Sequence, residues 1–434
     1  MNVNMHIRRI IPNDMRPIVT LWATQLLSSL GSGMTSFALI VWAYQQEGSA
    51  LSSALLAVCS YAPYVVLSVF AGALTDRWDR KRTLLVCDAL AAAGSLAVLI
   101  LLYAGALQLW HLYLINALNG LMNTIQQPAA DVTVTLLTPK HRLQRVAGMR
   151  ALAGALNTIL APALATALLT ALGMTAVIVF DLVTFAAAFV SLRWLIPIPR
   201  RPHAGAKEPL PASARAGLGY LRRHPGVMHV MLLLAAINLV ASMYNASLPA
   251  LLIPRGGEQA LGVLQSVTGL AMLAGSLLAS ALPRPRSRVR VILNALLLSM
   301  STENFCLSLG RSLPVWCAGA VLGWIAIPLM NTNLEALLRG YIPVEMQGRV
   351  WAARNTFQFF TIPIGYLLGG YLVDQVFEPL MARQTASWPV ALFGAGRGSG
   401  AAALFLLLAA AGVIICLAAR RDRALWALEK EETP

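Results

Sequence analysis

Acidic side chains interrupt several of the chain's long apolar runs, where carboxylates are rare. Three of them are candidates for binding a proton inside a membrane: Asp181, Glu303 and Glu335. Asp131 is a weaker candidate, because nearby arginines could keep its carboxylate ionised. A carboxyl group that takes up and releases a proton at membrane depth can couple the passage of a solute to a proton gradient. The residues leave open which acid does this, since each could instead join helices by hydrogen bonds.

Amide side chains form a stripe along the fourth apolar run. Its members, spaced by 3, 4, 4 and 4 residues, are Asn116, Asn119, Asn123, Gln127 and Asp131. This spacing places them on one face of a helix. Because an amide facing lipid would be costly, we expect the stripe to face protein or a water-filled cavity. Any single amide could also serve only to join two helices.

The elements that must position these residues are membrane helices. Of the 434 residues, 58% are hydrophobic and 12% are charged, whereas soluble domains carry about 25% charged residues. Apolar runs of about 20 residues predict spanning helices. Twelve are found, at residues 18–44, 50–74, 83–106, 110–136, 146–170, 173–196, 227–252, 260–282, 290–310, 313–337, 350–376 and 400–419. The sequence therefore predicts an all-α membrane protein with twelve transmembrane helices.

Basic residues predict which side of the membrane the chain ends occupy. Of 33 Lys and Arg residues, only four fall in the predicted outer loops and span ends: Arg255, Arg311, Arg383 and Arg397. Since basic residues are retained on the cytoplasmic side, both termini are predicted to be cytoplasmic. The net charge of +15 is spread over short clusters between apolar runs. This pattern is typical of a protein in a lipid bilayer and gives no support to a nucleic acid partner.

Other classes of function find little support in the residues. The five cysteines lie singly inside apolar runs, and the six histidines form no metal-type pair. No nucleophile stands in register with a base. The glycine run at 394–400 lacks the Gly-Lys-Ser/Thr of a nucleotide-binding loop. We therefore expect no metal or other cofactor, and a membrane-embedded enzyme or receptor is a remote alternative.

The chain divides into two similar halves. A linker at 198–226, rich in Pro, Arg and Ala, separates a predicted bundle at 1–197 from another at 227–434. Asp131, Pro139, Arg145, Val146 and Arg150 recur 204 residues later as Glu335, Pro343, Arg349, Val350 and Arg354. A single offset indicates duplication into two six-helix repeats. Because Glu335 mirrors Asp131, we expect it to pair with Arg349 or Arg354.

The loop between the second and third predicted helices carries the most specific motif. It reads Gly72-Ala73-Leu74-Thr75-Asp76-Arg77-Trp78-Asp79-Arg80-Lys81-Arg82. It resembles the loop motif of the major facilitator superfamily, Gly-x-Leu-x-Asp-Arg-x-Gly-Arg-Lys, with Asp79 in place of the second glycine. The matching residues are Gly72, Leu74, Asp76, Arg77, Arg80 and Lys81. The resemblance implies a gate in which Asp76 meets the positive N-terminal end of the eleventh helix and Arg80 pairs with Asp131.

Further stretches resemble exporters of the macrolide-efflux type, a group that includes siderophore exporters. They are Gln25–Gly31 with Glu47-Gly48-Ser49, Gln127-Pro128-Ala129, Asp181, Gly348-Arg349-Val350 and Gly394–Gly398. The antiporter motif of helix five, Gly-x-x-x-Gly-Pro-x-x-Gly-Gly, is present in reduced form around Pro162, with Ala in place of Gly. Small residues there still permit close approach of helices.

The resemblance also implies a substrate cavity and a mechanism. In this superfamily helices one, four, seven and ten line the cavity, which adds four residues to the stripe: Gln25, Asn238, Tyr244 and Asn331. The implied function is export of an amphipathic organic compound by proton antiport and alternating access, with a proton gradient as energy source, in a bacterial inner membrane. An uptake transporter or a lysophospholipid flippase of the same fold is the alternative. A twelve-helix unit of this kind encloses its own path and could work as a monomer.

Overall fold

The computed structural model describes residues 15–198, 219–384 and 388–430. Within these ranges, the side chains of 68–77 and of short stretches such as 347–349 and 351–353 are not part of the description. Every regular element in the described chain is helical. This agrees with the all-α membrane fold that the apolar runs predict.

Six membrane helices form the first repeat. They are α1 (Arg16–Glu47), α2 (Ala50–Arg77), α3 (Arg80–Tyr103), α4 (Leu109–Leu137), α5 (Leu143–Leu172) and α6 (Met174–Val190). A π-helical turn, Ser191–Leu195, continues α6. Only Gly48 and Ser49 join α1 to α2, and Gly48 has a φ of 63°, a conformation that glycine adopts without strain. Such short connections make consecutive helices antiparallel.

The second repeat begins with a long helical stretch, Pro225–Ala281, that is broken at Gly257 (φ 72°, ψ 178°). The part before the break is α7 and the part after it is α8. The later helices are α9 (Arg288–Leu309), α10 (Leu313–Tyr341), α11 (Val344–Tyr371), α12 (Ser399–Arg421) and α13 (Arg423–Lys430). A turn divides α10 into Leu313–Trp324 and Ile327–Tyr341. A π-helix, Leu372–Phe377, and a short helix, Glu378–Ala382, continue α11, and another short helix, Trp388–Phe393, precedes α12.

The helices account for the twelve predicted spans. In the described chain, nine helical stretches are long and apolar enough to cross a membrane, and Pro225–Ala281 supplies two spans of its own. The other two spans are α4 and α11, with 29 and 28 residues. At ~1.5 Å per residue each is about 42 Å long, which exceeds a hydrocarbon core of ~30 Å. The amide stripe makes α4 less apolar than its neighbours.

Small residues let the membrane helices approach closely, which replaces the hydrophobic driving force that is missing in lipid. Gly275 of α8 packs against the turn inside α10, where a Cβ atom would overlap the Ile325 carbonyl oxygen. Gly33 of α1 packs on α5, where a Cβ atom would lie 3.0 Å from the Ala161 Cβ. Any side chain at either glycine would push two helices apart.

The chain forms two compact units. The first unit contains α1 up to Leu39 and the chain from Ala62 through α6, and the second contains Ile40–Tyr61 together with α7 to α13. The predicted boundaries, 1–197, 198–226 and 227–434, place Ile40–Tyr61 in the first half instead. Most of the predicted linker, residues 199–218, lies outside the described residues. Each unit has its own apolar core, the first around Leu192 and Ile196 and the second around Leu296 and Leu338.

Candidate functional site

Asp181 of α6 joins three helices inside the first unit. Its side chain is buried, with 1% of the residue exposed. Ser95 of α3 donates a hydrogen bond to it at 2.9 Å, Thr35 of α1 at 3.1 Å and Ser32 of α1 at 3.3 Å. All three donors are uncharged hydroxyl groups, and no Lys or Arg pairs with Asp181 among the described side chains. The carboxylate therefore binds α1, α3 and α6 together through neutral partners.

Glu303 of α9 is a buried acid of the second unit. It is buried, and the Tyr244 hydroxyl of α7 donates a hydrogen bond to its Oε1 at 2.6 Å. The Trp324 ring lies beside Tyr244, with 6.5 Å between ring centroids, and its indole nitrogen is buried without a hydrogen-bond partner among the described residues. The sequence predicts Tyr244 to be a cavity residue, and the structure places its hydroxyl on Glu303 inside the unit.

Asp181 and Glu303 break the symmetry of the repeats. Ser95 is the sixteenth residue of α3, and Glu303 is the sixteenth residue of α9. At the same position the first unit has a hydroxyl that donates to an acid on α6, and the second unit has the acid itself. Both units therefore have a buried polar contact at this helix position, with the carboxylate on α6 in the first unit and on α9 in the second.

Asp88 of α3 is a buried acid that sequence reasoning did not single out. Only 4% of the residue is exposed, and Gln126 of α4 donates a hydrogen bond to its Oδ1 at 2.7 Å. The side chain of Gln25, on α1, also faces this carboxylate. A lone acid within the apolar run 83–106 was the signal that could have found it, since ionisable residues inside membrane spans are rare.

The amide stripe on α4 has a buried part and an exposed part. Asn116 donates a hydrogen bond to the Leu112 carbonyl of its own helix, and the Asn119 side-chain oxygen is buried without a partner in the described chain. Asn123 and Gln127, near the middle of α4, are exposed. Because an amide exposed to lipid is costly, this face of α4 is suited to an aqueous space.

The second unit exposes an amide on the corresponding helix. Asn331 of α10 is exposed, whereas Asn238 of α7 is partly buried and donates a hydrogen bond to the Gln358 carbonyl at 3.2 Å. Each unit therefore presents an accessible amide on its fourth helix, as expected if α4 and α10 face an aqueous space.

Two equivalent ion pairs lie at the predicted cytoplasmic ends of the helices. Asp131 pairs with Arg150, which joins α4 to α5. Glu335 pairs with Arg354 at 2.5 Å, which joins α10 to α11. The partners are 19 residues apart in both pairs, so the repeat seen in the sequence is also present in the contacts. The pairing of Glu335 with Arg354 confirms the sequence-based expectation.

The partner of Asp131 differs from the one that the resemblance implied. That expectation paired Asp131 with Arg80, whereas its ion pair in the structure is with Arg150. Lys81, next to Arg80, donates a hydrogen bond to the Ile196 carbonyl at 2.9 Å and ties the start of α3 to the chain after α6. The expected contact of Asp76 with the eleventh helix lies outside the described side chains, as do those of Gly72 and Arg77.

The turn between α2 and α3 explains why Asp79 can replace a glycine. Asp79 has a φ of −66° and a ψ of 113°, and its carboxylate accepts a hydrogen bond from the Arg82 backbone N–H at 2.9 Å. This is an N-cap, for which Asp is a preferred residue. The matching turn before α9 is capped by Ser287, and Glu429 of α13 accepts a hydrogen bond from the Val289 N–H at 2.7 Å.

The helix-five motif retains its packing role. Pro162 is buried within α5, and its neighbour Ala161 packs against Gly33 of α1. A Cβ atom at Gly33 would lie 2.8 Å from the Asn157 side-chain oxygen. Alanine and glycine therefore share the close contact that glycines make in the full motif.

An acid beyond α11 caps α2 within the second unit. Asp374 accepts hydrogen bonds from the Ser49 hydroxyl at 2.7 Å, the Leu51 N–H at 2.8 Å and the Ala50 N–H at 3.0 Å. These are free N–H groups of a first helical turn, where a carboxylate is favoured. Sequence reasoning missed Asp374, because only the tertiary structure brings it next to Ser49.

The glycine run before α12 is also capped by an acid. Glu378 accepts hydrogen bonds from the Gly398 N–H at 2.9 Å and the Ala401 N–H at 3.3 Å. The N-terminal end of α12 is thus occupied by a side chain of the same unit. Arg397 in this run lies against Gly48, where a Cβ atom would be 2.8 Å from its guanidinium.

Two helical repeats with buried acids and exposed amides define a membrane transporter of the two-repeat class. The profile of the Major Facilitator Superfamily matches residues 21–302, and the chain belongs to this family. It is 24% identical over 368 residues to macrolide efflux protein A of Streptococcus pyogenes, a match that covers 82% of this chain and 89% of the relative. It is 25% identical to the multidrug efflux pump Tap of Mycolicibacterium fortuitum, with coverage of 82% and 89%. The enterobactin exporter EntS of Salmonella typhimurium is 24% identical, with coverage of 65% and 69%.

Solved structures confirm the fold. A bacterial homologue of the iron transporter ferroportin, in an inward-facing state, is similar with a TM-score of 0.68 and 16% identity, over 97% of this chain and 99% of that one. The nucleoside transporter NupG gives a TM-score of 0.65, with 13% identity and coverage of 95% and 98%. At these sequence identities the similarity establishes the fold. It does not identify the compound that is transported.

Proposed function

We propose that this chain exports an amphipathic organic compound, of a drug, macrolide-like or siderophore-like kind, by proton antiport and alternating access. The observation that carries the proposal is the pair of exposed amide positions on α4, Asn123 and Gln127, in the middle of a membrane helix. Accessible amides beside apolar surface suit a bulky cargo with both polar and apolar faces. The named activities of the related proteins, macrolide, multidrug and enterobactin export, are consistent with such a cargo.

Proton coupling is supported by acids that lack a cationic partner. Among the described residues, the buried acids are Asp88, Asp181 and Glu303, and no ion pair with Lys or Arg is present for any of them. Glu335 is ion-paired with Arg354 and is better suited to holding α10 and α11 together. The proton gradient supplies the energy, and the protein sits in the bacterial inner membrane with both termini in the cytoplasm.

Transport into sealed proteoliposomes tests this proposal. The probes are a radiolabelled macrolide, a cationic dye and a catecholate siderophore, each offered with and without an imposed pH gradient. The expected result is accumulation of at least one probe that depends on the gradient and is accompanied by counter-movement of protons. Accumulation without proton movement would rule out proton antiport.

The exposed amides provide a matched pair of variants. Asn123→Leu removes the polar group and is expected to lower the affinity for the transported probe, whereas Asn123→Gln keeps an amide and is expected to retain most of it. Vesicles of opposite orientation separate export from uptake. Movement of a lysophospholipid by wild-type protein, in the absence of transport of any probe, would favour the flippase alternative.

A further inference from the structure

Asp88 lies in the membrane span of α3, near the start of this helix. It is the ninth residue of α3, which begins at Arg80, so it lies about 12 Å along the helix axis at ~1.5 Å per residue. The predicted topology places the start of α3 on the cytoplasmic side. Ser95, which donates to Asp181, is seven residues further along the same helix and therefore on nearly the same face.

The two oxygen atoms of Asp88 have different surroundings. Oδ1 accepts a hydrogen bond from Gln126, whereas Oδ2 is buried and has no hydrogen-bond partner among the described residues. An ionised carboxylate with a bare buried oxygen is unfavourable, since a buried acceptor without a donor retains its full desolvation cost. A proton on Oδ2 removes the charge and turns this oxygen into a donor.

The groups around Asp88 are uncharged amides. Gln25 faces it from α1 and Gln126 binds it from α4. The titratable side chain next to it on α3 is Cys87, and α6, which also packs on α3, brings Asp181 to the level of Ser95. No Lys or Arg of the described chain forms an ion pair with Asp88. The charge of Asp88 is therefore set by proton binding and not by a neighbouring cation.

Gln25 can respond to the proton. An amide carries a donor at one end and an acceptor at the other. Toward a carboxylate it presents its N–H, and toward a carboxyl O–H it presents its oxygen after a half-turn of the terminal torsion. Because Gln25 is on α1, a cavity-lining helix by the resemblance, this half-turn would change the polar surface offered to a cargo.

We propose that Asp88 is a proton-binding site of the first unit. Gln25 is the positioning residue on α1 whose amide turns when Asp88 gains or loses a proton. This inference rests on the proposed proton antiport. On protonation, an O–H bond forms at Oδ2 with a proton taken from the aqueous phase, and the new hydroxyl donates to the Gln25 oxygen. On release, this O–H bond breaks, the proton passes to cytoplasmic water, and Gln25 turns its N–H toward the carboxylate.

Infrared difference spectroscopy tests proton binding without a cargo. Purified wild-type protein is titrated with protons alone, and the C=O band of protonated carboxyl groups is followed. Asp88→Asn is expected to remove one resolved component of this band, and Gln25→Leu to shift that component because its acceptor is lost. Glu335→Gln, which removes an ion-paired acid, is the matched control and is expected to leave the component in place.

The spectra also test the role of Asp88 if one of the variants does not fold. Should Asp88→Asn fail to yield a monodisperse protein, an unshifted band in Gln25→Leu overturns the proposal. A band that persists unchanged in folded Asp88→Asn overturns it as well.

Transport separates this inference from the function on which it rests. Gradient-driven accumulation is compared with counterflow, the exchange of labelled for unlabelled probe, which needs no net proton movement. In the wild type, the pH gradient is expected to increase accumulation of the probe above the level reached in counterflow. In Asp88→Asn this increase is expected to be lost, while counterflow continues. If the wild-type protein shows no such gain, the antiport proposal fails. If the wild type shows it and Asp88→Asn retains it in full, only the role of Asp88 fails.

Discussion

At the scale of single residues, the molecule treats its buried acids in different ways. Asp181 accepts hydrogen bonds from three hydroxyl groups, whereas a single hydrogen bond, from the Tyr244 hydroxyl at 2.6 Å, is described for Glu303. A fully bonded carboxylate serves well as a joint between helices.

Replacing Asp181 by Asn is expected to destabilise the first unit. The amide brings an N–H into a site where three hydroxyl groups already donate, so at least one hydrogen bond is lost. The cost is about 1–3 kcal/mol for a buried group, measured as a lower melting temperature in detergent. Ser29→Ala removes a hydroxyl that bonds only within α1 and is the control with little expected change. Equal melting temperatures for Asp181→Asn and wild type would contradict the role as a joint.

The contact between Tyr244 and Glu303 is expected to behave as a coupled pair. Tyr244→Phe leaves the buried carboxylate without its donor at a cost of about 1–3 kcal/mol. When Glu303→Gln is added, the two losses are expected to be less than additive by about 0.5–3 kcal/mol, because the residues are in direct contact. A double-mutant cycle in thermal unfolding measures this. Additive losses would mean that the hydrogen bond contributes nothing of its own.

At the scale of helices, the same ion pair is built twice in different surroundings. Arg150 has 46% of its side chain exposed and pairs with Asp131, whereas Arg354 has 13% exposed and pairs with Glu335. An exposed pair contributes about 0–1 kcal/mol, and the pair of Glu335 is less screened by water because only 36% of the Glu335 side chain is exposed, compared with 47% for Asp131. We expect Glu335→Gln to lower the melting temperature more than Asp131→Asn does. The reverse order would show that exposure does not govern these pairs.

The cap that Asp374 forms on α2 is expected to stabilise the second unit. Asp374→Asn removes the negative charge that assists the hydrogen bonds from Ser49, Ala50 and Leu51. A charge at the start of a helix contributes about 0.3–2 kcal/mol, so we expect a lower melting temperature of the variant in detergent.

The control for this measurement is Ser276→Ala, which removes a hydroxyl bonded only within α8 of the same unit. Its melting temperature is expected to stay close to that of the wild type. Equal melting temperatures for Asp374→Asn and the wild type would show that the charge contributes nothing to this cap.

At the scale of the whole molecule, the two repeats of the transporter have the same order of helices but differ in the polar side chains that they bury. The inner ion pairs are repeated with the same spacing, and the buried acids are not. Alternating access requires the two repeats to pack in similar ways. A proton, in contrast, can be bound by a residue in one repeat only. The buried acids follow this uneven division, since Asp88 and Asp181 lie in the first unit and Glu303 lies in the second.

The topology is open to a direct test. Because 29 of the 33 basic residues fall on the predicted cytoplasmic side, a green fluorescent protein fused to the C-terminus is expected to fluoresce, and alkaline phosphatase at the same place to be inactive. The opposite pair of signals would reverse the orientation of every helix. Fusions after Gly105, in the predicted outer loop between α3 and α4, are the matched control with the expected signals exchanged.

The sequence alone determined the features that depend on neighbours along the chain. Hydropathy over about 20 residues predicts a span, because each helix must satisfy its own backbone in lipid. The offset of 204 residues predicted the equivalence of Asp131 and Glu335 and a pairing of Glu335 with Arg349 or Arg354, and the structure shows the pair with Arg354. Asp131 shows the limit, since the resemblance paired it with Arg80, and only the packing of α4 on α5 brings Arg150 to it.

Only the tertiary structure decided which polar groups meet across helices. Asp88 and Gln126 are 38 residues apart, and Asp374 and Leu51 are 323 apart. Periodicity gives the face of one helix and says nothing of the rotation or depth of its partner. Hydrogen bonds form within about 3 Å. If a helix is rotated about its axis by one residue position, a carboxylate on it loses its hydrogen-bond donor. That is why Asp181 was found from the sequence, and its three hydroxyl partners and the bare oxygen of Asp88 were not.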